Sequence, residues 1–235
     1  MLNWKHYLAI ALITVAVLVL GSRISLFPKT PVDVAALRRQ ADQGDVDAQY
    51  QIALRFENGD GIGQSFDQAG AYLDMAANRG DARARAALQE AHATCAKHDP
   101  KTLDEAHACQ IDAQVGDRHA QISIAVLYSS GRLFEKNEAL AALWFDVAAI
   151  HGDPWAQAMM ARVYAGHGLP ENPVEEYAWA ATAAQRTDLP DAMHQQAVIL
   201  QEALKIRISR EFGPAVFQQA DDKARFYIEK YGKSN

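Results

Sequence analysis

From residue 33 onward, apolar side chains recur at steps of three and four, and the pattern restarts wherever the pair Gly-Asp stands. The pair occurs as Gly44-Asp45, Gly80-Asp81, Gly116-Asp117 and Gly152-Asp153, at a constant interval of 36 residues. Counting each Gly as zero, position four is Ala48, Ala84, Ala120 and Ala156, and position eight is Ile52, Leu88, Ile124 and Met160. Position twelve is Phe56, His92, Tyr128 and Tyr164. Steps of four lie on one face of a helix, so these positions predict the buried stripe of a first helix in every unit. His92 is thereby expected to stand in for a core aromatic. The small Ala53, Ala125 and Ala161 beside that stripe allow a neighbouring helix to come close.

A turn follows each first helix, Asn58-Gly59-Asp60-Gly61-Ile62 in unit one and Gly166-His167-Gly168-Leu169-Pro170 in unit four. Second helices then start at cap signals: Ser65 with Gln68, Thr102 with Glu105, and Asn172 before Pro173. Their apolar positions are Tyr72, Leu73, Ala76 and Ala77 in unit one, Trp144, Phe145, Ala148 and Ala149 in unit three, and Trp179, Ala180, Ala183 and Ala184 in unit four. A helix hairpin repeated at fixed period cannot bury its apolar face alone, and stacking on its neighbours is what covers it. The expected fold is all-α: a solenoid of about four 36-residue units over 33–191, opened by a half-repeat at Val34 to Ala41 and closed by helices over 192–235. A polar outer face on those last helices would cap the core.

The order Ala-x-x-x-hydrophobic, aromatic, Gly-x-Gly-hydrophobic, Ala-x-x-Tyr/Trp, Ala-Ala and closing Gly resembles the Sel1-like repeat, a relative of the tetratricopeptide repeat. The resemblance covers roughly residues 33 to 192. Two departures stand out: Ala where the family usually has Gly at position nine, and a unit two without the Gly-x-Gly turn or the second-helix aromatic. It implies a right-handed α-solenoid acting as an adaptor in bacterial envelope, secretion or signalling assemblies or in eukaryotic membrane-protein quality control, with no catalytic residues. By analogy with tetratricopeptide arrays, whose first helices line the concave side, the partner groove would hold Asp47, Tyr50 and Glu57, Arg83 and Glu90, His119 and Ile122, and Trp155 and Arg162. Tyr50, Arg83, Glu90, His119, Trp155 and Arg162 are the principal candidates. Trp155 and Arg162 are seven apart, hence on one face, and Trp, Tyr and Arg dominate binding hot spots. The competing reading of Trp155 is a staple that only fixes the start of its helix.

Before the array, Tyr7 to Gly21 carries no charge. Those residues as helix reach only ~22 Å, short of the roughly 30 Å hydrocarbon core. Extension from Trp4 to Ile24, with Lys5 and Arg23 snorkelling, spans it. Residues 1–27 therefore read as a transmembrane anchor or, alternatively, as a cleavable secretory signal, and 28–32 as a stiff linker. The expected location is the inner membrane, single-pass, with the solenoid in the periplasm; cleavage would leave it free in the periplasm or secreted. Positive charge flanks both ends of the run, so orientation rests on the cysteines below.

Chemistry adds little to this picture. A net charge of −6 lacks the basic surplus that phosphate backbones require, which argues against nucleic acid. His92, Cys95, His98, His107 and Cys109 cluster in unit two, but their spacing matches no common zinc motif, so neither metal nor cofactor is expected. A Cys95–Cys109 disulfide would pin the two helices of that unit where its turn glycines are missing and would fit an oxidising compartment; two free thiols are the alternative. Glu175-Glu176 suits the first turn of a helix, and no phosphate-cradling loop follows a strand, so no enzyme or small-molecule substrate is expected. The reading is a membrane-tethered scaffold that holds a protein or peptide of an envelope assembly. Its alternatives are an accessory subunit of a membrane enzyme complex and a soluble exported regulator or inhibitor.

Overall fold

The computed structural model describes residues 33–96 and 99–233. The anchor or signal expected over 1–27 and the linker over 28–32 lie outside the described residues. Among the described residues no helix is long and apolar enough to cross a membrane.

Eleven helices are described: α1 (Val34–Asp42), α2 (Val46–Asn58), α3 (Phe66–Asn78), α4 (Ala82–Cys95), α5 (Leu103–Gln114), α6 (Arg118–Ser130), α7 (Glu138–Ile150), α8 (Pro154–Tyr164), α9 (Pro173–Ala184), α10 (Asp191–Glu211) and α11 (Pro214–Tyr231). Four hairpins, α2–α3, α4–α5, α6–α7 and α8–α9, stack in chain order, each first helix packing on the second helix of the unit before it. The core is accordingly a chain of clusters, one around α1 to α5 and another running from α6 to α11, with Cys95, Cys109 and Ile124 in a third between them.

The Gly-Asp pair makes each junction. Gly44, Gly80, Gly116 and Gly152 have φ of 97°, 99°, 105° and 86°. A side chain there would clash with its own backbone, so Gly is the residue that turns the chain out of one helix. The next residue is extended, and its carboxylate accepts the amide of the first helical turn: Asp45 from Ala48 at 2.9 Å, Asp117 from Ala120 and Asp153 from Ala156 at 2.8 Å, and Asp81 from Ala84 at 3.1 Å. Such a cap stabilises a helix by ~1 kcal/mol.

Position five repeats with the same period and has a less obvious role. Gln49, Gln121 and Gln157 are buried, and each donates Nε2 to a carbonyl in the last turn of the preceding helix: Ala41 at 3.0 Å, Ala113 at 3.2 Å and Ala149 at 3.1 Å. A polar residue on a first helix reads as solvent-facing in isolation; here it supplies a second donor to a buried helix-end carbonyl that the junction glycine's amide already reaches. In unit two the position is Arg85, exposed, which reaches the Gly80 carbonyl from outside.

Three details depart from the expected pattern. His92 is exposed, and α4 buries Ala84, Ala91 and Cys95, so the stripe of unit two is rotated by about one residue toward the disulfide. Of the two capping boxes, only Thr102/Glu105 is reciprocal; Ser65 caps Gln68 without a return bond. The outer face of the closing helices is not uniformly polar. α10 buries Ala197, Leu204 and Ile208, while Ile199 and Ile206, on its opposite side, are 68% and 65% exposed. By contrast α9 is buried from Glu176 to Ala184, because α8, α10 and α11 surround it.

Cys95, the last residue of α4, is disulfide-bonded to Cys109, two turns into α5, with Cα atoms 4.9 Å apart. Cys95 occupies the place held by Gly59 in unit one and Gly131 in unit three, which end their helices in the left-handed conformation. A covalent link thus stands where a turn of fixed shape stands in the other units. Reduction is expected to lower stability by about 3 kcal/mol, the loop-entropy value for a ring of this size, measured as the urea midpoint with and without reductant alongside a thiol count. Gln121→Ala, which removes the second donor to a carbonyl that still accepts from Gly116, is expected to cost ~0.5–1.5 kcal/mol. Arg85→Ala, on the surface of unit two, should stay within ~0.5 kcal/mol by the same measurement.

Candidate functional site

The first helices carry four equivalent residues at position three, Asp47, Arg83, His119 and Trp155, and their surroundings differ from unit to unit. At the amino-terminal end Arg83 bridges units one and two. Its guanidinium lies 2.7 Å from Asp47 and 2.6 Å from Asp81, and 4.3 Å from the centroid of the Tyr50 ring. Hydrogen bonding to Arg83 holds the Asp81 carboxyl down at about 2 and lowers that of Asp47. Tyr50 and Arg83 are thus brought together, but Arg83 is already engaged by two carboxylates and a ring.

Glu90 lies elsewhere, with Glu57, on a cleft of ≈ 720 Å³ between units one and two. Burial raises the Glu57 carboxyl, and the charge of Glu90 raises it further. His119 and Ile122 line a cleft of ≈ 510 Å³ with Arg118, Asp153, Arg186 and Asp188. Trp155 and Arg162 share a third, of ≈ 370 Å³, with Val126, Met159 and Val163 at its walls. Trp155 is half-buried, its ring 5.5 Å from that of Phe145, while Arg162 is exposed. The staple and groove readings of Trp155 therefore coexist: one part of the indole packs inward and the remainder faces the cleft beside a guanidinium. The six principal candidates occupy four places along the array rather than one continuous groove.

The reactive side chains of unit two are dispersed as well. Cys95 and Cys109 are consumed by their disulfide, and His98 lies outside the described residues. His107 is stacked on Phe66 at 3.8 Å and faces Phe134 at 5.9 Å; burial lowers its pKa and favours the neutral ring. His92 instead meets two carboxylates at the α5–α6 junction, with Nδ1 3.1 Å from Asp112 Oδ2 and 3.6 Å from Asp117 Oδ2. Burial raises the Asp112 carboxyl, Asp117 adds to the rise, and His92 opposes it. Among the described residues this is the set that could hold a metal ion, each residue offering one donor atom and all of them within 4.8 Å of one another. It is also complete without one: Asp117 caps α6 with its other oxygen, and His92 joins α4 to that junction.

Local reasoning missed a polar cluster at the carboxy-terminal end. Glu175 and Glu176 are more than first-turn charges. Glu176 is buried and takes Arg207 of α10 at 2.5 Å, and Glu175 takes Lys223 and, at 2.8 Å, the Tyr227 hydroxyl of α11. Burial raises the Glu176 carboxyl against the pull of Arg207, and burial together with Glu175 raises the Tyr227 phenol. These partners are 31, 48 and 52 residues away, so no local motif could have announced them. The cluster fastens α10 and α11 to the last repeat.

No family model matches the chain, and no curated protein matches it. Among solved structures, the chain is similar to a protective antigen present in uropathogenic Escherichia coli strains that displays an SLR, or Sel1-like repeat, fold. The identity is 25% and the TM-score 0.50, over 85% of this chain and 41% of the antigen, so the chain spans less than half the antigen's length. A Sel1 repeat protein from Oxalobacter formigenes is 27% identical over 71% of this chain and 98% of its own, with a TM-score of 0.34. With hairpins of 36 residues joined at Gly-Asp pairs, the described residues have the fold that the antigen displays, a solenoid of the Sel1-like repeat type.

Proposed function

We propose that the chain is a non-catalytic scaffold that holds a protein or peptide partner, and that its amino-terminal segment tethers it to a membrane with the array on the periplasmic side. The observation that carries the binding role is the cleft at Trp155 and Arg162, where a large ring and a guanidinium reach the surface together on a rigid helix. Such pairs supply most of the energy of ordinary interfaces, because a ring buries much area with few rotatable bonds and a guanidinium offers several donors in one plane. The tether rests on the uncharged run Tyr7 to Gly21, and the periplasmic side on the Cys95–Cys109 disulfide, which persists in oxidising compartments. Confinement to a bilayer raises local concentration, so modest affinity suffices.

A stoichiometric subunit of a larger membrane complex is the second reading, favoured by the exposed Ile199 and Ile206 on α10, a pair that a permanent neighbour would cover. Copurification after detergent solubilisation separates the two readings. A fixed subunit returns its neighbours at constant ratio, whereas a transient scaffold returns partners whose amount falls on dilution.

Two measurements test the main reading. Trp155→Ala combined with Arg162→Ala is expected to weaken partner capture at least ~10-fold while circular dichroism keeps its helical signal; unaltered capture would refute the assignment. Full-length chain in isolated membranes is expected to resist carbonate extraction, and release into the supernatant at the mass of a shortened chain would replace the anchor by a cleaved signal.

A further inference from the structure

Unit two differs from its neighbours by an aromatic side chain that it lacks. Tyr72 of unit one and Trp144 of unit three hold equivalent positions, and Ala108 stands midway between them, one period from each. Ring-to-methyl replacement removes a large volume from the face where hairpins meet, and a core closes over such a loss only if its helices can move inward. Here they are held. The disulfide ties the end of α4 to α5, and Gly70 already brings α3 so close to α5 that an added Cβ would lie 3.0 Å from the Ile111 carbonyl oxygen.

Ala108 lies on the wall of the ≈ 720 Å³ cleft, whose volume is within the range of sites that take a small ligand or a few side chains. Phe66, Leu73, Ala91, Ala108 and Ile111 contribute its apolar wall. Glu57, Glu90 and Asp104 stand among the lining residues, and no Lys or Arg does among those described. His107 adds no fixed positive charge, since burial favours its neutral form. Among the described residues, Glu57 and Glu90 stand on this apolar recess with no Lys or Arg in its lining, which repels acidic ligands and attracts a cation that brings apolar surface with it.

We propose that this cleft takes a partner segment presenting one aromatic side chain flanked by Lys or Arg, the ring filling the space beside Ala108 and the cation lying against Glu57 and Glu90. The proposal rests on the reading of the array as a protein-binding scaffold and adds the chemistry of the bound segment. Its place, between units one and two, is separate from the Trp155 cleft between units three and four.

The test uses full-length chain in mild detergent and three fluorescein-labelled peptides, Ala-Lys-Trp-Lys-Ala, Ala-Glu-Trp-Glu-Ala and Ala-Lys-Ala-Lys-Ala, followed by fluorescence anisotropy. The first is expected to bind at least ~10-fold more tightly than either of the others, a difference of about 1.4 kcal/mol. Ala108→Trp, which restores the periodic aromatic, and the double change Glu57→Gln with Glu90→Gln should each weaken that binding ~10-fold or more. Trp155→Ala with Arg162→Ala should leave it unchanged. Equal binding of the Glu-flanked peptide, indifference to Ala108→Trp in a chain of normal helicity, or absence of binding by the first peptide would each overturn the proposal. Should Ala108→Trp lower the helical signal, the isosteric pair Glu57→Gln with Glu90→Gln decides alone. Partner capture by the Trp155 and Arg162 variant is read separately, so this cleft and the proposed scaffold function fail by different results.

Discussion

Everything in the array depends on how one hairpin is joined to the next, and that joint is a left-handed glycine, a capping aspartate and a buried glutamine in a span of six residues. The glycine turns the chain, the carboxylate receives the first free amides of the new helix, and the glutamine donates to the end of the old one. The aspartate satisfies an amide that a helix terminus would otherwise leave without a partner, and the glutamine adds a second donor to a carbonyl that the junction glycine's amide already reaches. With the angle between successive hairpins set this way, apolar faces meet in register and the core extends by addition. Stability is then a property of neighbouring pairs, and loss at one joint is felt mainly by the units beside it.

Unit two keeps the glycine and the aspartate of the joint, carries exposed Arg85 in the place of the glutamine, and alters the rest. Gly80-Asp81 and Gly116-Asp117 have the same geometry as the other pairs, so the unit stays in the stack. Within it a disulfide stands at the site of the turn glycine, the buried stripe of α4 rotates, and His92 swings outward to Asp112 and Asp117. A neighbouring unit pays for its own turn differently: Leu133 adopts φ of 71°, a conformation costing roughly 1–2 kcal/mol for a residue with a Cβ, while its side chain packs against the apolar cluster that includes Cys95, Cys109 and Ile124.

The carboxy-terminal end solves a different problem, since a stack of hairpins must stop without leaving a bare apolar face. Wrapping α9 with α10 and α11 covers it, and the ion pairs of Glu175 and Glu176 with Lys223 and Arg207 orient the two closing helices. Half-buried pairs of this kind contribute direction more than energy, because desolvation offsets much of their attraction. Ile199 and Ile206 remain on the far side of α10, so the closure hides the last repeat while presenting new apolar surface of its own.

The period, the helical hairpins, the Asp caps and the Gly exits were legible in the order of residues, because each depends on backbone preferences and on contacts three or four residues apart. The half-repeat at Val34 and the break at Gly213-Pro214 were legible for the same reason. Less was legible at the candidate sites. His92 holds an aromatic's place in the count yet turns to solvent, since its direction is set by a disulfide and by two carboxylates on other elements. Glu57 and Glu90 read as groove residues by analogy alone, and only the structure sets them on one cleft with Ala108. What the chain determined by itself was therefore the repeating unit and its junctions, through local and periodic interactions. Tertiary structure alone decided which exposed side chains share a cleft and which polar residues are buried, because those outcomes depend on contacts tens of residues apart that no short-range pattern encodes.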